Sequence, residues 1–175
     1  KKTAAEIKDQ LKVRIDDLKT KGCLPHLTVV LVGEDPASKS YVGMKQKACE
    51  KIGMSSETIK LDESTTQEYL LDLIDQLNNN EKVHGILVQM PLPKHIDSSA
   101  IIEAILPAKD VDGFHPINKG RLAFGEDCFV PCTPAGIQEL LMRWGYDPSG
   151  KHVVVVGRSG LVGMPFSVMM AQKKK

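Results

Sequence analysis

The chain lacks any run of about 18 consecutive apolar residues, which excludes a membrane-spanning helix. It also lacks an excess of either charge. Among 175 residues, 23 Lys and Arg face 22 Asp and Glu, for a net charge of +1. A nucleic-acid binder would carry a basic surplus, so nucleic acid is not an expected partner. No cysteine framework is present: Cys23, Cys49 and the Cys128/Cys132 pair are all there is. Zinc sites usually join one close cysteine pair to a second pair or to histidines. Scattered reduced thiols in a cytosolic protein, and no metal, are therefore expected. There is no internal repeat, and no low-complexity segment beyond the terminal lysines. No Met and no hydrophobic leader open the chain at Lys1-Lys2-Thr3, and it closes equally abruptly at Gln172-Lys173-Lys174-Lys175. The expectation from these ends and this length is a fragment, one domain plus a piece of another.

What is present is an alternation of two periods. Ala4, Ile7, Leu11, Ile15 and Leu18 recur at helical spacing. The β-branched run Leu27–Gly33 reads as a buried strand. Ser38 is placed to cap a helix running to about Lys51, with Gly53 as its stop. Thr58–Leu61 reads as a short strand. Thr65 and Glu68 have capping-box spacing ahead of Leu70, Leu73, Ile74 and Leu77, and Asn78-Asn79-Asn80 ends that helix. Val83–Met90 is a second buried strand, and Asp97 or Ser98 caps a short helix through Leu106. Residues 107–134 are irregular and rich in turn formers. Thr133-Pro134 predicts a helix start, Gly145 its close, and residues 146–150 a linker. Val153–Val156 reads as a third buried strand, followed by a Gly-rich turn and a helix to Ala171. Helix–strand alternation of this kind predicts an α/β fold with a parallel sheet between two helical layers. Ligands in such sheets collect at the carboxyl ends of the strands.

Chemistry-bearing residues gather at those ends. Tyr41 and Lys45 are four apart and share a helix face after the first strand. A lysine held in a partly apolar cleft can serve proton transfer. Alternatively, Tyr41 packs at the core edge and Lys45 is a solvated charge. Gln89 is the polar residue ending the second buried strand, stiffened by Pro91 and Pro93. It can bond a ligand, orient Lys45, or simply cap the strand end. Asp110 and Asp112 could bind the amidine-like edge of a pterin or guanidine, or serve as Asx-turn residues. His115 beside them is more often structural. Gly157, Gly160 and Gly163 form a Gly-rich strand-to-helix turn of the kind that offers backbone N–H groups to phosphate, with Arg158 adding a cation. A tight turn without a ligand is the other reading. Tyr-x-x-x-Lys also occurs in short-chain dehydrogenases, but there the dinucleotide turn comes first. The reversed order here counts against that family.

Taken together, these segments resemble one family. In order they are Asp35-Pro36-Ala37-Ser38-Lys39-Ser40-Tyr41-Val42-x-x-Lys45, Gly85–Pro93, Lys109–Pro116, Pro131-Cys132-Thr133-Pro134-x-Gly136, and Val156-Gly157-Arg158-Ser159-x-x-Val162-Gly163-x-Pro165. This is the pattern of the bifunctional methylenetetrahydrofolate dehydrogenase/cyclohydrolases of the FolD type. The resemblance implies NADP-dependent oxidation of 5,10-methylenetetrahydrofolate, then hydrolysis of the methenyl product to 10-formyltetrahydrofolate, in one-carbon metabolism feeding purine biosynthesis. It implies that Lys45 is the catalytic lysine, with Tyr41 packing on the folate and helping to set it. Gln89 would support the lysine and contact substrate, and Asp112 would bind the pterin. Gly157, Arg158 and Ser159 would line the cofactor phosphates, with Thr133 near the nicotinamide. It further implies a cytoplasmic homodimer. Residues 1–146 would be the folate-binding catalytic domain. Residues 147–175 would be the first, incomplete part of a Rossmann-like nucleotide domain, leaving Val153–Val156 an exposed apolar edge. Two alternatives stand beside this reading. One is a truncated folate-binding module without dehydrogenase activity. The other is an amino-acid-dehydrogenase-like enzyme with the same two-domain plan.

Overall fold

The computed structural model describes residues 2–172. Lys1 and the terminal lysines 173–175 lie outside them. The chain divides into two compact units between Lys109 and Asp110.

The first unit opens with α1 (Lys2–Thr20), followed by β1 (His26–Val32), α2 (Pro36–Ile52), β2 (Ser55–Leu61), α3 (Gln67–Asn79), β3 (Gly85–Val88) and α4 (Ser98–Ala104). The three strands form one parallel sheet in the order β2-β1-β3. β1 is central and takes partners on both edges. That explains why its Val29, Val30, Leu31 and Val32 are all buried. β2 carries Ser55, Ser56 and Glu57 at its start, so only its apolar second half was legible as a strand. The core joins Val30, Val32, Ile86 and Val88 of the sheet to Leu70, Ile74 and Leu77 of α3 and Ile101 and Ile105 at α4. Each such side chain, fully buried, contributes roughly 1.5–3 kcal/mol. α2 packs against β1 and β2, and α1 against α2.

Two helix starts fall elsewhere than expected. Asp35, not Ser38, caps α2: its carboxylate accepts the Ser38 N–H at 2.7 Å, with Pro36 at the first helical position. Thr66, not Thr65, caps α3 by accepting the Tyr69 N–H. In both cases the capping side chain accepts the N–H three residues on, but in α3 this puts Glu68 at the second helical position, so the expected Thr65/Glu68 capping box is not made. Asp97 caps α4, and Gly53 closes α2 at φ 77°.

The second unit contains α5 (Pro116–Phe124), α6 (Cys132–Arg143) and α7 (Gly163–Ala171). α7 packs against both α5 and α6, burying Leu122, Pro134, Phe166 and Met169. The Gln172 side-chain amide donates to Leu122 O. α5 falls within the segment read as irregular. His115 caps it, its Nδ1 accepting the Ile117 N–H at 3.0 Å. α6 starts at Cys132 without a side-chain cap, so Thr133-Pro134 lies inside the first turn. Proline is tolerated there because its missing N–H would have no helical partner.

Val153–Val156 is not a strand. Among the described residues the sheet has only β1, β2 and β3, and Val154 and Val156 are 71% and 98% exposed. A strand exists only as a member of a ladder, and here no neighbouring strand accepts this segment. Among the described residues no helix is long and apolar enough to cross a membrane.

Candidate functional site

In the first unit the carboxyl ends of β1 and β3 are flanked by α2 and by the loop after Val88. β1 runs beside β3 with Val30 opposite Val88, and the Gln89 N–H continues the ladder by donating to Val30 O at 2.9 Å. Gln89 is thus fixed at its backbone. Its side chain is fixed as well: Nε2 donates to Met90 O at 2.7 Å, which turns Oε1 the other way. Oε1 accepts from Lys45 Nζ at 3.0 Å. The Met90–Pro91 peptide is cis, a feature that sequence reading missed. Lys45 is half-buried, and its ammonium has a defined neutral acceptor in place of a carboxylate. Tyr41, one turn earlier, is 57% exposed, so it is a surface ring rather than core-edge packing.

The Asp110–His115 turn of the second unit divides the labour between its two carboxylates. Asp110 is 3% exposed. Its oxygens accept from the Phe114 N–H (3.2 Å), the His115 N–H (2.8 Å) and Asn118 Nδ2 (2.8 Å). It is the Asx-type residue that builds the turn. Asp112 is half-buried on the same turn. Gly113 was not singled out in the sequence, yet the turn depends on it. Its φ is +67°, and an added Cβ would sit 2.7 Å from Phe129 O and 2.8 Å from Pro131 N.

The Gly-rich turn places Gly157, Arg158 and Ser159 in exposed positions before α7. Ser159 Oγ accepts from the Val162 and Gly163 N–H groups at 3.2 and 3.3 Å, and so holds the turn against the helix start. Gly163 is the close-approach glycine: a Cβ there would lie 2.3 Å from Gly157 O. Gly157 and Gly160 border open space. A cavity of about 360 Å³ is lined by Ile137, Val155, Gly157, Ser159, Val162 and Phe166, among others. Thr133 is exposed in the first turn of α6. An exposed cation beside a Gly turn is a donor set suited to a phosphate, so these residues fit a phosphate-bearing cofactor.

Residues 1–112 match the model of the tetrahydrofolate dehydrogenase/cyclohydrolase catalytic domain, and residues 131–175 that of the NAD(P)-binding domain of the same family. The chain is 53% identical over 173 residues to the bifunctional protein FolD of Oceanobacillus iheyensis, covering 99% of this chain and 61% of that protein. It is 56% identical over 170 residues to that of Bacillus pumilus, covering 97% and 60%. Among solved structures, the bifunctional FolD dehydrogenase/cyclohydrolase of Campylobacter jejuni superposes with a TM-score of 0.93 at 49% identity, covering 95% of this chain and 59% of that one. The dehydrogenase-cyclohydrolase of Trypanosoma brucei, solved with NADP and an inhibitor, superposes at 0.91 and 36% identity, covering 96% and 58%. The chain spans about three fifths of the length of the curated relatives it matches.

Proposed function

This chain belongs to the tetrahydrofolate dehydrogenase/cyclohydrolase family, and from that premise we propose that it works in one-carbon folate metabolism. The reactions are oxidation of 5,10-methylenetetrahydrofolate to the methenyl cation and hydrolysis of that cation to 10-formyltetrahydrofolate. The observation that carries the reading is the Lys45–Gln89 hydrogen bond at the carboxyl end of the sheet. An ammonium has three protons, and Gln89 engages one without neutralising the charge. Lys45 can then hold a water or hydroxyl of the opening ring and move a proton at Nζ. The methenyl carbon is already electrophilic, so positioning and proton transfer are what the hydrolysis needs. Tyr41 offers an exposed ring for the substrate to stack on, and Gln89 keeps the ammonium in register. Asp112 takes the donor edge of the pterin, while Asp110 holds the turn beneath it.

Gly157, Arg158 and Ser159 would hold the phosphates of NADP, and Thr133 would contact the cofactor. The cofactor, when bound, supplies the hydride acceptor. We place the folate-binding catalytic part at residues 1–146 and the start of the nucleotide part at 147–175, in a cytoplasmic homodimer. The second reading, a folate-binding module without dehydrogenase activity, is favoured by the exposed, unladdered Val153–Val156.

Two assays on the chain separate these readings. Loss of methenyl absorbance measures hydrolysis, and NADPH formation from methylenetetrahydrofolate measures oxidation. Hydrolysis that falls at least a hundredfold in Lys45→Ala supports the assignment (an order-of-magnitude expectation for a proton-transfer group). Full hydrolysis by Lys45→Ala would overturn the role given to Lys45. NADPH formation by the chain would exclude the second reading.

A further inference from the structure

Asn118 stands at the third position of α5 and is 1% exposed. It shares the inner face of that helix with Leu122, one turn on, where an apolar side chain would ordinarily pack. A buried amide is costly unless its hydrogen bonds are made. This one is aimed at a carboxylate: Nδ2 donates to Asp110 Oδ2 at 2.8 Å.

The three bonds to Asp110 do different things. Phe114 and His115 lie in the turn itself, so their N–H groups close residues 110–115 into a loop and fix its internal shape. α5 begins only at Pro116. Of the three donors, Asn118 is therefore the one that stands on the helix body and joins the closed turn to it. The helix start is fixed in its own right. His115 Nδ1 accepts the Ile117 N–H at 3.0 Å, and the Lys119 N–H donates to His115 O at 3.0 Å. Asp112 lies between the two ends of this turn, half-buried. Its chain neighbours meet the segment before and at the start of α6. Cys132 Sγ faces Val111 O at 3.9 Å, and the space beside Gly113 is filled by the backbone of residues 129–131. A carboxylate carried on so short a turn goes where the turn goes.

We propose that Asn118 is a positioning residue for folate binding: by tying the Asp110 turn to α5, it sets the direction in which Asp112 presents its carboxylate to the donor edge of the pterin. The inference rests on the role given to Asp112 above. Asn118 acts through the turn and not on the substrate. Two adjacent N–H donors meet a carboxylate best in a planar, two-bond arrangement, so a small rotation of Asp112 loses one of the two. An apolar side chain at 118 leaves the turn closed by its two backbone bonds but loose on the helix. Substrate affinity then falls, while hydrolysis at Lys45, whose bond to Gln89 is untouched, keeps its rate.

A double-mutant cycle tests this, with KM and kcat for methenyltetrahydrofolate hydrolysis measured on the 175-residue chain. In Asn118→Leu, KM should rise about tenfold, the worth of one hydrogen bond to a charged group, with kcat within about twofold of the parent. Asn118→Gln, which regains an amide donor, should recover part of the affinity. Combined with Asp112→Asn, Asn118→Leu should raise KM no further than Asp112→Asn does alone, because residues acting through one another are not additive. A role confined to folding would lower the melting temperature without this non-additivity. Should Asn118→Leu fail to fold, Asn118→Ser, whose donor is too short to reach, takes its place in the cycle. A KM within about twofold of the parent in the folded variant would overturn the proposal, and so would KM changes that multiply in the double variant. An unchanged KM in Asp112→Asn is a distinct failure: it would overturn the role of Asp112, and the proposal with it.

Discussion

Replacing Gly113 by Ala isolates the cost of a backbone approach that sequence reading overlooked. Two effects add. At φ +67° an alanine pays about 1–2 kcal/mol for the left-handed conformation. It recovers about 0.4–1 kcal/mol because its unfolded chain has fewer states. The net conformational cost is therefore about 1 kcal/mol. The added Cβ also lies 2.7–2.8 Å from Phe129 O, Val130 C and Pro131 N, where ordinary contacts begin at 3.4 Å. All three are main-chain atoms and cannot rotate away, so the strand of loop from 129 to 131 must move. Overpacking of this kind costs about 1–3 kcal/mol. The total expected for Gly113→Ala is about 2–4 kcal/mol. The control is Gly145→Ala in the same unit, with φ +79° and nothing within 4 Å of its Cβ, expected to cost about 1 kcal/mol. Both are measured by urea denaturation followed by circular dichroism. At roughly 2–4 °C per kcal/mol for a chain of this size, the two variants should also separate by several degrees in melting temperature. Equal destabilisation of the two would refute the steric argument. A Gly113→Ala variant as stable as the parent would refute both parts.

Gln89→Leu keeps the volume near Lys45 but removes its acceptor; methenyl hydrolysis should fall about ten- to a hundredfold, consistent with a misplaced catalytic group, with the urea midpoint little changed. Asp110→Ala strands three donors, two of them buried, and should cost about 3 kcal/mol or more, read by the same denaturation and visible without any substrate. The Ser38 N–H holds the Asp35 carboxyl below the usual aspartate range. A depressed folded value means that its stabilisation is present above the unfolded aspartate value and is lost as pH falls through the folded one. Asp35→Asn should therefore differ from the parent in melting temperature at neutral pH, and the difference should shrink in acid.

Much of the first unit was legible because its signals are one-dimensional. β1 and β3 are short, wholly buried runs, and α1 and α3 repeat apolar residues at helical spacing, so period and length alone name them. Caps were legible in kind but not in register, as Asp35 and Thr66 show, since neighbouring polar residues compete for the same N–H groups. α5 stayed hidden because its start is a histidine cap within a turn-rich stretch. Tyr41, Lys45, Gln89, Asp112 and the Gly-rich turn were all visible as residues, and their ordered spacing pointed to the family. What that order could not show is which of two readings each residue takes. Lys45 and Gln89 lie 44 positions apart, and only the ladder from Gln89 to Val30 brings their side chains to 3.0 Å. Asp110 and Asp112 are equivalent in sequence, and the fold alone buries one and leaves the other half-open.

The sequence by itself therefore determined the alternation of helix and strand, the family, and the identity of the candidate site residues, because these depend on local pattern and on motif order. The tertiary structure alone decided the pairing of Lys45 with Gln89, the division of the two aspartates, the need for glycine at 113 and the failure of Val153–Val156 to be a strand. Each of these depends on what a distant segment offers: an acceptor, a set of donors, a backbone wall, or no neighbouring ladder at all.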